Sequence, residues 1–231
     1  MDFWRSVDLY CERTDPDFWS EPLNAASNAA FLLAAALIVR HCRARGPIAP
    51  DAWLLAGLVA LIGVGSFLFH TLATVWAGWL DVIFILAFIY VFLARFLARV
   101  PGWGWTGIAA GLAGYWLFSR AVTAAFPADA FNGSFSYFPA LLALAGLAAW
   151  AGHARHAGAP RLALAAGLFA VSIGFRTADL ALCAAWPPGT HAVWHGLNAV
   201  VLWLAATGLV AEKPATGKAA AGVEVRVSAA C

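Results

Sequence analysis

Apolar residues fall along the chain in seven long blocks, at approximately 24–40, 52–72, 79–98, 103–120, 135–152, 161–178 and 190–211. Each is near the roughly 20 residues that an α-helix needs to cross a bilayer. Polar and charged residues collect mainly between the blocks. The third and fourth are separated by little more than the sequence VPGWG, and the sixth is interrupted by Arg176. The pattern predicts an all-α integral membrane protein: a seven-transmembrane-helix bundle forming one domain over residues 24–211. A polar segment, residues 1–23, precedes it, and the small, polar tail at 212–231 is expected to be disordered. Gly and Ala recur within the blocks, as in GIAAGLAG from Gly107 to Gly114. Small residues of this kind let membrane helices approach closely.

Composition sharpens the class. The chain is 63% hydrophobic and 11% charged, against about 45–50% and 25% in soluble domains. A net charge of +2 with no basic tract gives no sign of nucleic-acid binding. The first residues are acidic and polar, without the basic-then-apolar layout of a signal peptide. Arg40, Arg43 and Arg45 follow the first block, Arg95 and Arg99 the third, Arg155 and Arg161 the fifth, and Lys213 and Lys218 the last. The opposite ends hold Arg5, Arg13, Arg120 and Arg176 amid most of the acids. The positive-inside rule therefore sets the N-terminus outside and the C-terminus in the cytoplasm. The Ala and Gly content fits a GC-rich bacterial genome, which points to a bacterial plasma membrane. Of the four cysteines, Cys11 and Cys183 fall on the outer side, where disulfides persist. They are the one compartment-compatible pair; the alternative is two unpaired buried thiols.

Candidate chemistry begins in the last block, HAVWHGLNAVVLWL, where His191 and His195 stand four apart and share one helix face. Imidazoles are costly in hydrocarbon without a partner, and two on one face can grip a divalent metal. A third ligand is available in GVGSFLFHTLATVWAGWLDVIF. His70 lies near the outer end of the second block, Ser66 four residues before it, and Asp81 in the first turn of the third block. All fall at similar depth. Three imidazoles with an open fourth position describe a catalytic zinc site. Zinc there would activate water, Asp81 would carry its proton, and Ser66 would hydrogen-bond a developing oxyanion. The constellation reads as metal-assisted hydrolysis of a lipid. The same histidines would also serve a seven-helix lipid receptor with a structural zinc, or a lipid ester hydrolase. His41, His153 and His156 sit beside arginines in loops and read as solvated. Asn24, Ser27 and Asn28 read as interhelix hydrogen-bonding groups, and Arg176 and Asp179, three apart, as an intrahelical ion pair.

Three stretches, YCERTDPDFWSEPLNAASN, GSFLFHTLATVWAGWLD and FRTADLALCAAWPPGTHAVWHGLNA, resemble the alkaline ceramidase family. That family sits within the wider group of seven-helix membrane hydrolases that includes the adiponectin receptors and Per1-like proteins. The resemblance implies hydrolysis of the N-acyl amide of ceramide-like lipids to a fatty acid and a sphingoid base. It implies zinc on His70, His191 and His195 with Ser66 and Asp81 beside it, and it agrees with a Cys11–Cys183 pair. The membrane and the lipid substrate are the partners it implies, and no protein partner. It also implies a calcium site near the N-terminus, on Asp8, Tyr10 through its backbone carbonyl, Glu12, Thr14 and Glu21. Alternating oxygen donors followed by a later Glu suit that hard cation. Two positions depart from the family pattern: Asp8 stands three residues before Cys11, where two is frequent, and Thr14 replaces a frequent amide. The alternative for these acids is a solvated N-terminus with helix-capping carboxylates.

Overall fold

The computed structural model describes residues 2–211, and the expected tail at 212–231 lies outside the described residues. Its helices are α1 (Pro22–Ser27), α2 (Ala29–Arg43), α3 (Pro50–Leu72), α4 (Val75–Arg99), α5 (Trp105–Ala124), α6 (Phe138–His153), α7 (Ala159–Leu182) and α8 (His191–Leu209), with a 3-10 turn at Ser134–Tyr137 leading into α6. The described residues hold no strand, only an isolated antiparallel bridge from Ser6 to Thr74. Among the described residues, six helical rods are long and apolar enough to cross a membrane: α1 with α2, α3, α4, α6 with its 3-10 turn, α7 and α8. α5 has 20 residues but is less apolar, and none of its residues is buried. Large apolar side chains face outward on helix after helix, among them Leu33, Leu61, Ile83, Leu117, Val171 and Val200. Exposed apolar surface on that scale suits a hydrocarbon surround.

The sequence sets the helix ends. Pro22, Pro50 and Pro160 stand in the first turns of α1, α3 and α7, where the missing N–H is no loss. α3 ends as Ala73 turns left-handed (φ 44°) and returns its N–H to the carbonyl of Phe69 at 2.8 Å. α4 then starts at Val75, four residues before the apolar block that announced it. The reason is the N-terminal segment. The opening N–H groups of a helix lack intrahelical acceptors, and here Val75 and Trp76 donate theirs to the carbonyls of Arg5 and Phe3, both at 3.1 Å. Val7 completes the pairing by donating to Ala73 at 2.8 Å. Asp81 consequently lies in the second turn of α4, and the gap at 73–78 between the two apolar blocks contracts to Ala73 and Thr74.

Successive helices turn back on one another. At one end, Asp51 in the first turn of α3 accepts from Arg95 (3.0 Å) and Arg99 (2.7 Å) on the last turns of α4. At the same end the start of α7 meets the end of α8, with Gly158 against the backbone of Gly208, where a Cβ would collide. The core is aliphatic and aromatic: Ile38 on α2, Leu55, Val59 and Ile62 on α3, Phe96 on α4 and Leu209 on α8. α3 and α8 are the most enclosed helices. α3 packs against α1, α2, α4 and α8, and α8 against α1, α2, α3, α4 and α7. The polar groups they carry inward are therefore shielded from every side.

Candidate metal centre

His70 from the end of α3 meets His191 and His195 from the start of α8. The ring centroids lie 5.1 Å (His70–His191), 4.8 Å (His70–His195) and 4.5 Å (His191–His195) apart. Their candidate ligand atoms lie within 4.8 Å of one another, the one such group of three among the described residues. All three are buried. Two of them are braced from behind. His70 Nδ1 is 2.6 Å from Glu21 Oε2, and His195 Nδ1 is 2.7 Å from Ser27 Oγ. That leaves Nε2 of each ring for the centre. His70 Nε2 and His191 Nδ1 have no hydrogen-bond partner although buried. Buried orphan imidazole nitrogens are expensive unless something coordinates them, and a braced outer nitrogen is the usual support of a metal-bound histidine. The trio fits a metal ion.

Ser66, one turn before His70, puts Oγ 3.4 Å from His195 Nε2. Asp81 on α4 faces the same space as Ser66. Both line one pocket together with His191, His195, Tyr10, Tyr137 and Trp194. From this polar mouth the pocket continues between α4, α5, α6 and α8, past Phe88, Leu93, Leu147 and Ala205. His191 and Ala205 lie about 21 Å apart along α8 at the usual helical rise, so the pocket is long and mostly apolar, with its polar groups concentrated toward one end.

The N-terminal segment contributes Tyr10 to the mouth. Tyr10 is buried, its ring stacked on His191 at 3.8 Å and 5.1 Å from His70. Burial pushes its phenol pKa up, so it stays protonated at neutral pH. Cys11 and Cys183 form a disulfide with Cα atoms 5.2 Å apart, pinning the segment to the residue that follows α7. The sequence reading gave Tyr10 a backbone role only. Its ring lay beyond reach of spacing arguments because the contact is between distant parts of the chain.

Of the residues that the resemblance assigns to calcium, Glu12, Thr14 and Glu21 carry side-chain contacts of their own. Asp8 is exposed. Glu12 accepts the N–H groups of Leu23 (2.7 Å) and Asn24 (2.8 Å), capping the start of α1, which was the alternative reading for these acids. Thr14 bonds to its neighbour Asp15. Glu21 is engaged by Arg13 Nε at 2.6 Å, Asn24 Nδ2 at 3.0 Å and His70. Burial alone would raise the Glu21 carboxyl, but His70, Asn24 and Arg13 more than offset it and hold it below the usual carboxylate range.

Arg176 and Asp179, expected to pair along the helix, form no ion pair. Asp179, fully buried, accepts the N–H groups of Cys11 (3.1 Å), Thr190 (2.6 Å) and His191 (3.0 Å). Three converging donors outcompete one cation on the neighbouring turn. Arg176 instead donates to Asn132 O (2.6 Å) and Ser134 Oγ (3.0 Å), with its guanidinium 5.2 Å from the Tyr137 ring centroid. The interhelix bonds expected of Asn24 and Asn28 are local instead, Asn24 Nδ2 donating to Glu21 Oε2 and Asn28 Nδ2 to Asn24 O, whereas Ser27 reaches across to His195. Its place four residues before Phe31 in an apolar run was the only available signal. Compared with protein-family profiles and with curated proteins, the chain matches none.

Proposed function

We propose that this protein is a multi-pass membrane hydrolase that uses a zinc ion to cleave the N-acyl amide of ceramide-like lipids. The observation that carries the reading is the junction of two features. Three buried imidazoles, a carboxylate and a hydroxyl meet at the head of a pocket whose remainder is mostly apolar. In this reading α5 is the seventh span, and the arginine-rich ends of α2, α4 and α6 face the cytoplasm of a bacterial plasma membrane, by the positive-inside rule. The centre then lies toward the outer side. His70, His191 and His195 would hold the ion, which supplies Lewis acidity: it makes water a competent nucleophile near neutral pH and polarises the acyl carbonyl.

The chain's own groups do the rest. Asp81 accepts a proton from the attacking water and delivers it to the nitrogen as the C–N bond breaks. One water is consumed, and a carboxylic acid and an amine leave. Ser66 donates a hydrogen bond to the carbonyl oxygen as charge builds on it. The apolar pocket holds a hydrocarbon chain with its amide at the mouth, beneath the ring of Tyr10. Calcium is assigned no step in this reaction. The test is a mass-spectrometric assay of purified protein against ceramide, dihydroceramide and phytoceramide, with Asp81→Ala beside wild type. The proposal expects release of fatty acid and base by wild type, and a loss of at least ~100-fold in Asp81→Ala with metal content retained. Wild-type turnover by Asp81→Ala would remove that residue from the chemistry. Metal-loaded wild type that binds ceramide and never cleaves it would favour a lipid receptor.

A further inference from the structure

Arg13 is a buried cation in a segment otherwise rich in acids, 7% exposed. Every hydrogen bond its guanidinium makes ends on oxygen. Nε donates to Glu21 Oε1 (2.6 Å), Nη1 to the carbonyls of Asp15 (3.1 Å) and Asp17 (3.3 Å), and Nη2 to the carbonyl of His70 (2.9 Å). One carboxylate and three carbonyls, drawn from the N-terminal loop and the end of α3, are the donor set of a hard-cation site. Its centre here is a guanidinium. A divalent ion bound by Glu21 would face that fixed charge across the same carboxylate. The expected calcium ligands and this cluster share Glu21, and the cluster already has its cation.

We propose that Arg13 is a built-in replacement for a structural divalent cation, and that through Glu21 it positions the metal ligand His70. Arg13 clamps Glu21 Oε1, and the other oxygen, Oε2, accepts from His70 Nδ1. The Nη2 bond to the His70 carbonyl holds the same residue by its backbone. A carboxylate behind a metal-bound imidazole fixes ring orientation and raises ligand basicity. Arg13 makes that carboxylate permanent, since a guanidinium neither dissociates nor deprotonates. The N-terminal segment is therefore locked onto α3 without any ion. The positioning half of the proposal rests on the metal reading of the histidine trio. The cation-replacement half does not.

The experiment is thermal melting and elemental analysis of the full-length protein in detergent, for wild type, Arg13→Ala and Arg13→Lys, with and without millimolar calcium chloride. Wild type is expected to carry no stoichiometric calcium and to melt at the same temperature in both conditions. Arg13→Ala strands a buried carboxylate and is expected to melt lower, by on the order of 10 °C. It is also expected to lose at least half its transition metal, with part of both losses restored by millimolar methylguanidinium. If Arg13→Ala does not fold, Arg13→Lys replaces it: charge without the planar fork should give a lower melting temperature and no calcium response. One equivalent of calcium in wild type, a melting point raised by calcium, or an Arg13 variant that melts and binds metal like wild type would each overturn the proposal. Wild type that holds neither calcium nor a transition metal, yet depends on Arg13 for its melting point, would sink the zinc reading alone.

Discussion

Replacing Asp179 should separate the support of the centre from the centre itself. Its carboxylate touches none of the three rings. It accepts three backbone N–H groups: Cys11 on the disulfide-anchored segment, and Thr190 and His191 at the start of α8. α8 has no side-chain cap of its own, so Asp179 caps it from α7 and sets a negative charge at its positive end. Asp179→Ala leaves those donors buried and unpaired at about 1–3 kcal/mol each. Cys11 and Thr190 are partly exposed, so water recovers some of this, and a net loss of about 3–5 kcal/mol follows. At roughly 2–4 °C per kcal/mol for a chain of this size, the melting temperature should fall by about 6–20 °C. Asp179→Asn keeps one acceptor oxygen and loses the charge, so it should fall by about half as much. The assay is melting in detergent followed by metal analysis, because a loosened His191 should also release metal. An Asp179→Ala protein that melts within about 2 °C of wild type and keeps its metal would refute the capping argument.

Further expectations follow from the same geometry. Ser27→Ala removes the partner of His195 Nδ1 and should weaken metal affinity by roughly 10–100-fold, read by competition with a chelating dye, while the melting point of the loaded protein changes little. Gly189 adopts φ +67°, and a Cβ there would press on the Asp179 carboxylate and the Cys11 side chain. Gly189→Ala should therefore cost more than the usual 1 kcal/mol or so of a left-handed alanine, seen as a lowered yield and melting temperature. Ala143→Phe narrows the pocket between α4 and α6. It should reduce turnover of long-chain lipids more than short-chain ones, while an equal loss for both would place the chain elsewhere.

The helices were readable because hydrocarbon permits so few solutions: unbroken apolar blocks had to be helices, and their ends came within a few residues. The histidine trio was readable for a related reason. A polar group in such a block needs a partner, and the i, i+4 pair on α8 and the lone His70 on α3 were three such groups at one depth. What stayed hidden depended on contacts across the chain. The early start of α4 is set by carbonyls at Phe3 and Arg5. Asp179 has Arg176 at ion-pair spacing, yet its partners are residues 11, 190 and 191. Arg13 followed Glu12 in a motif where acids and hydroxyls invited a metal, and nothing local showed that its guanidinium would sit between Glu21 and the carbonyls of Asp15, Asp17 and His70. Local spacing identified which residues were unusual; only the packed chain decided whom each one met.

The most direct measurement is the transition-metal content of protein purified without added metal, by elemental mass spectrometry, for wild type and for a variant carrying His70→Ala, His191→Ala and His195→Ala together. The account predicts one zinc per wild-type chain and none in the triple variant. Wild type without a transition metal, or a triple variant that retains its zinc, would contradict it.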